Sequence, residues 1–153
     1  MSFDIDKKIR LVDAARAADT TVNSVKNWLA RGQVELFSSQ PDDGWRDFDL
    51  WDVQLLALVR ILINYGMPPS SAGSAARAII TDRISTPIPH DMFPLAAKRL
   101  WLGRVALVWR TEDNEWHAGS INSIEAIKEA GIRSALIVDV PAVIDAVFER
   151  LKK

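Results

Sequence analysis

No cysteine occurs among the 153 residues, which excludes disulfides, thiolate nucleophiles and Cys-ligated zinc or iron–sulfur centres together. The two histidines, His90 and His117, stand in different halves of the chain without metal-ligand spacing, so no metal or cofactor is expected. The seven glycines are scattered singly, and neither a G-x-S-x-G elbow nor a glycine-rich phosphate loop is present. The chain is read as a non-enzyme. An excess of one charge is missing as well. Nineteen Lys and Arg face twenty Asp and Glu, a net charge of -1, so any polyanion has to be met by a local patch rather than a general field. Apolar runs stay well short of the roughly 18 residues of a membrane span, and MSFDIDKKIR lacks a signal-peptide core. A cytoplasmic protein without a membrane partner is expected.

What is present is ordinary for a folded chain: 48% hydrophobic and 25% charged residues, enough apolar side chain for one domain or two small ones. Six tryptophans, at 28, 45, 51, 101, 109 and 116, read mostly as core filling. In the first half, Leu11, Val12, Ala15 and Ala18 fall at helical spacing and predict a helix over 11–18, stopped by Asp19-Thr20. Thr21 is placed to cap a second helix from Val22 to about Arg31, ended by Gly32. After a polar loop, Asp49 caps a long apolar stretch that Gly66 closes. Its residues Leu55, Leu56, Leu58, Val59, Ile61, Leu62 and Ile63 cover nearly all sides, predicting burial on most faces. Pro68 and Pro69 open a further helix with Ala72, Ala75, Ala76, Ile79 and Ile80 on one face.

The texture then changes. Pro87, Pro89 and Pro94 forbid a continuous helix, and 85–94 is read as a linker. A short helix over 95–102, a strand over 104–111 and a second strand around Trp116-His117-Ala118 follow. Asn122 and Glu125 form a capping-box pattern opening a helix that Gly131 ends, and 134–140 reads as a buried strand. Pro141 starts the last helix, with Val143, Ile144, Val147, Phe148 and Leu151 on one face.

The stretch most suggestive of function is AARAADTTVNSVKNWLARG, residues 14–32. Two short helices across a tight turn form a helix-turn-helix, whose second helix can lie in a DNA major groove. Val22, Val25 and Leu29 share one face of that helix, while Asn23, Lys26 and Asn27 share the other. Asn can pair bidentately with adenine, and Lys can donate to guanine or phosphate. Taken alone, the stretch is equally compatible with a plain helical hairpin whose polar face is solvated.

This segment and the next resemble the MerR family of bacterial transcription regulators. Gly44-Trp45-Arg46-Asp47-Phe48 is similar to the family's Gly-aromatic-Arg-x-aromatic wing, and it leads into Asp52-Val53, the apolar helix and the turn Tyr65-Gly66-Met67. The resemblance covers residues 10 to about 80. It implies that Asn23, Ser24, Lys26 and Asn27 face the major groove and that Trp28 stands near the phosphates. Arg46 in the wing would contact the backbone, with Trp45 and Phe48 bracing it. Arg16, and less specifically Lys7, Lys8, Arg10 and Arg31, would add charge. The implied architecture is mainly α with a small α/β part: a winged helix-turn-helix head over 1–84, a Pro-rich linker over 85–94, and a small ββαβα unit over 95–153.

Two features depart from the family. Between Pro41 and Asp52 stand Asp42, Asp43, Asp47, Asp49 and Asp52 against Arg46 alone, a balance that repels phosphates unless several carboxyls turn inward. The family's long dimerisation helix is also missing, and the α/β unit is read as a possible dimerisation module in its place. The expected function is a sequence-specific DNA-binding regulator, a homodimer on double-stranded DNA. The alternatives are a protein-binding adaptor with a winged head, for which a protein partner would be needed, and a phage-type excisionase or small terminase subunit.

Overall fold

The structure is a computed structural model that describes residues 7–38, 47–84, 105–121, 128–129, 131–132 and 134–153. The expected linker, the helix over 95–102 and most of the helix over 122–131 lie outside these residues, as do Trp45, Arg46, His90 and Trp101.

The chain opens with β1 (Ile9–Arg10), continues as α1 (Leu11–Ala17) and turns into α2 (Val22–Ala30). Thr21 caps α2 as expected, its hydroxyl accepting from the Ser24 N–H at 3.1 Å. At the other end the Gln33 N–H reaches the Trp28 carbonyl at 2.9 Å and the Gly32 N–H the Leu29 carbonyl at 3.1 Å. Those two bonds need a left-handed residue, and Gly32 supplies it at φ +64°. Beyond the loop, β2 (Asp47–Phe48) returns to pair antiparallel with β1, Ile9 opposite Phe48 and Arg10 opposite Asp47.

Next come α3 (Leu50–Asn64) and α4 (Pro69–Ile84). Asp49 and Asp52 form a reciprocal capping box at the start of α3. The end of α3 repeats the closure of α2, with Gly66 at φ +93° and the Met67 N–H on the Leu62 carbonyl at 3.1 Å. α3 is buried on most faces because α1, α4, β2 and the last helix surround it. On α4, Ala72, Ala75, Ala76, Ile79 and Ile80 are all buried, the face read from the sequence.

In the C-terminal part, β3 (Val105–Arg110), β4 (Trp116–Ile121) and β5 (Leu136–Val138) form an antiparallel sheet in the order β4-β3-β5. Trp109 stands opposite His117 and Val108 opposite Leu136. α5 (Val140–Leu151) follows, capped by the Asp139 carboxyl on the Ala142 N–H at 3.1 Å, with Pro141 in its first turn.

These elements do not stand apart from the head. β4 lies against α4, and α5 lies against both α1 and α3. Ala106, Val108, Val138, Val140, Ile144 and Val147 join the same buried cluster as the head's core. The change of texture near residue 90 is thus a change of secondary structure, and the described parts on either side share one core. Among the described residues, no helix is long and apolar enough to cross a membrane.

Candidate nucleic-acid interface

α2 presents Asn23, Lys26 and Asn27 to solvent along one side, while Val25 and Trp28 are buried on the other. The side chains of Asn23, Lys26 and Asn27 make no hydrogen bond among the described residues, so their donors and acceptors are available to a ligand. Ser24 is less accessible, its hydroxyl 2.9 Å from that of Thr21. Arg16 is exposed on α1 and paired with Asp13 at 2.9 Å. Arg46 lies outside the described residues.

Trp28 departs from its expected place. Only 8% of it is exposed and it belongs to the core cluster, which leaves little indole for a phosphate. Its position next to Val25 on the helix wheel accounts for this, since one broad apolar face of α2 packs inward. Phe48 is fully buried.

Several acids near this surface are engaged inside the head. Between Thr21 and Gly32, α2 and its flanks carry Lys26 and Arg31 and no acid. Asp13 faces Arg16, and the Asp19 carboxyl lies 3.7 Å from Arg150. Asp52 is completely buried. Its carboxyl accepts from the Phe37 N–H at 2.7 Å, the Ser38 N–H at 3.3 Å, the Ser38 hydroxyl, and the Asp49 N–H at 3.2 Å. Asp49 is spent on the capping box. Two of the five acids around the wing therefore point into the protein.

Asp52 also has a positional role. Residues 33–38 carry the chain from α2 toward the wing, and Asp52 fixes their end to the start of α3. α4 holds the same loop from the side. The Arg77 guanidinium donates to the Glu35 carbonyl at 2.7 Å and lies over the Phe37 ring, 4.3 Å from its centroid. At Gly73 the loop backbone comes so close that a Cβ would stand 2.1 Å from the Gln33 carbonyl oxygen.

Partial burial lifts the Asp49 carboxyl above the ordinary carboxylate range. The neighbouring Asp52 adds to this, while the Asp52 and Trp51 N–H groups and Lys8 pull the other way. A raised folded-state value means that stability present below the unfolded-state pKa is lost as pH rises through the folded one. Asn caps as well as Asp but carries no charge. Asp49→Asn is therefore expected to match or slightly exceed the parent's melting temperature at neutral pH, with any gain shrinking as pH falls through the carboxylate range. Asp49→Ala should cost about 1 kcal/mol. Thermal unfolding followed at several pH values checks both, and a marked loss for Asn at neutral pH would contradict the assignment.

One residue that periodicity did not single out borders the same surface. A groove beside the turn between α1 and α2 is lined by Arg16, Thr20, Thr21, Ser24 and Arg60. Arg60 also donates to the Asp19 carbonyl at 3.2 Å. Tyr65, at the end of α3, is 69% exposed. Arg60 was hidden in the sequence because it sits inside an otherwise apolar helix. Among the described residues, no group of three or more His, Cys, Asp or Glu could hold a metal ion.

Residues 9–78 match the family model described as MerR HTH family regulatory protein. No curated protein matches the chain. The matched span begins at β1 and takes in both helices of the turn motif, β2, α3 and most of α4, so the head is similar throughout to the helix-turn-helix of the MerR regulatory family.

Proposed function

From a MerR-type head over residues 9–78, we infer that this chain is a sequence-specific DNA-binding transcription regulator that reads the major groove with α2. The observation that carries the reading is the side of α2 bearing Asn23, Lys26 and Asn27: exposed, without side-chain partners among the described residues, and in a stretch that contains two cations and no acid. Amides and an ammonium in that arrangement supply bidentate contacts to adenine and donors to guanine. Arg46 acts from the wing on backbone phosphate, positioning the head without reading sequence, and Arg16 adds a further cation beside the groove.

One head with few cations releases few counterions and binds weakly, so the active species is a dimer. The α/β part supports pairing: Ile137, on the edge strand β5, is 65% exposed.

Selection of bound fragments from genomic DNA with the purified chain tests the reading and yields the site. On a selected duplex, Lys26→Ala is expected to weaken binding about tenfold or more and to narrow the gap between specific and unrelated DNA. Arg46→Ala should weaken all duplexes alike and lower the salt slope by about one. A chain that binds no duplex even at low salt would put the protein-binding adaptor first.

A further inference from the structure

The turn that sets where α2 begins is held by residues far away in the chain. Asp19 adopts φ +58°, a left-handed conformation that costs a non-glycine residue roughly 1 kcal/mol and persists only where its surroundings fix it. On one side Arg60 of α3 donates from Nε to the Asp19 carbonyl at 3.2 Å. On the other, Arg150 of α5 donates from Nη1 to the Ala17 carbonyl at 3.2 Å, and its Nη2 lies 3.7 Å from the Asp19 carboxyl. The Ala17 carbonyl belongs to the last turn of α1 and has no partner within that helix. Arg150 thus closes an orphaned backbone group and the carboxyl two residues beyond it with one planar fork.

The exposed ion pair alone contributes little, since the Asp19 side chain is 73% exposed. The part-buried bond to the Ala17 carbonyl is geometrically more demanding. It spans 133 residues and ties the far end of the chain to the joint between the two helices. Behind it, α5 packs on α1 and α3 through Ile144 and Val147, so the guanidinium arrives on a rigid support.

We propose that Arg150 is a positioning residue for DNA recognition: it fixes the turn over residues 17–21, and through it the direction in which α2 presents Asn23, Lys26 and Asn27. The proposal rests on the reading of α2 as the DNA-contacting helix. Arg150 itself touches no nucleic acid in it. The C-terminal part of the chain is on this account a working component of the head.

The test compares the full-length parent with Arg150→Met, which keeps the stem and removes the donors, and Arg150→Lys, which can restore one bond. Affinity for a selected duplex is measured by anisotropy across a salt series well below the melting temperature, and amide exchange is followed in the same samples. Arg150→Met is expected to bind about tenfold more weakly with an unchanged salt slope. The Thr20 and Val25 amides, bonded to the Ala15 and Thr21 carbonyls at 2.9 and 3.1 Å, should exchange faster while those of α4 do not. Arg150→Lys should fall between the two.

Equal affinity in parent and Met variant overturns the proposal. So does a slope reduced by about one, which marks a direct phosphate contact, and so does faster exchange spread evenly over all helices, which marks loss of global stability alone. If the Met variant fails to fold, the Lys variant decides by the same readouts. A parent that binds no duplex overturns the reading of α2 and this proposal with it, whereas a binding parent with an equally binding variant overturns only the proposal.

Discussion

Asp52→Ala is expected to lower the unfolding free energy by about 4 kcal/mol, which for a chain of this length is roughly 10 °C in Tm. The magnitude follows from what the change strands. The N–H groups of Phe37, Ser38 and Asp49 and the Ser38 hydroxyl all lose their acceptor at a site with no solvent access to the side chain. A buried donor left without a partner costs about 1–3 kcal/mol, and relaxation of the loop recovers part of the sum. Asp52→Asn keeps one carbonyl oxygen but turns an amide N–H₂ toward donors, so it should fall between the parent and Ala. The loop that Asp52 holds leads to the wing, so DNA affinity should drop in both variants along with stability. Urea unfolding of the three proteins is the measurement, and an Ala variant within 1 kcal/mol of the parent would show that water replaces the carboxyl without loss.

Gly73→Ala should destabilise the chain by about 3 kcal/mol, against the usual direction for such a change. Within a helix, replacing Gly by Ala ordinarily gains about 1 kcal/mol through backbone entropy. Here the new methyl would stand 2.1 Å from the Gln33 carbonyl oxygen and 3.4 Å from the Val34 Cα. Both are backbone atoms, so no rotamer change can relieve the contact. Either α4 or the loop over residues 33–38 must move, and each movement strains the Arg77 bond to the Glu35 carbonyl. An Ala variant that melts at or above the parent's temperature would show that the loop is not held against α4. Gly73→Ser should behave like Ala, because the clash comes from the Cβ.

What the sequence made legible was local. Thr21 and Asp49 announced helix starts through side chains that can accept from free backbone N–H groups, and Gly32 and Gly66 marked the ends because left-handed closure favours glycine. The apolar faces of α4 and α5 followed from spacing alone. The pattern of exposed amides and lysine on α2 was equally readable, because it needs only one helix to be defined.

The unread part depends on distant pairs. β1 and β2 are two residues each, too short for alternation to show. The resemblance placed Trp28 near the phosphates, while packing against residues that no local pattern reveals draws most of it into the core. The role of Asp52 depends on Phe37 and Ser38, that of Gly73 on Gln33, and that of Arg150 on Ala17. In each case the side chain or the bare Cα is ordinary in its own segment and acquires meaning from a loop or helix elsewhere. The shared core across the change of texture near residue 90 was hidden for the same reason.

The residues that face outward on α2 and those that hold α2 in place are different sets. The side chains of Asn23, Lys26 and Asn27 have no hydrogen bonds to lose among the described residues, while Thr21, Arg60, Asp52, Gly73 and Arg150 keep the scaffold in register from behind. On the proposed reading of α2, target preference is therefore free to drift by substitution at three codons without a penalty in folding, whereas the residues that hold the helix are tied to the scaffold.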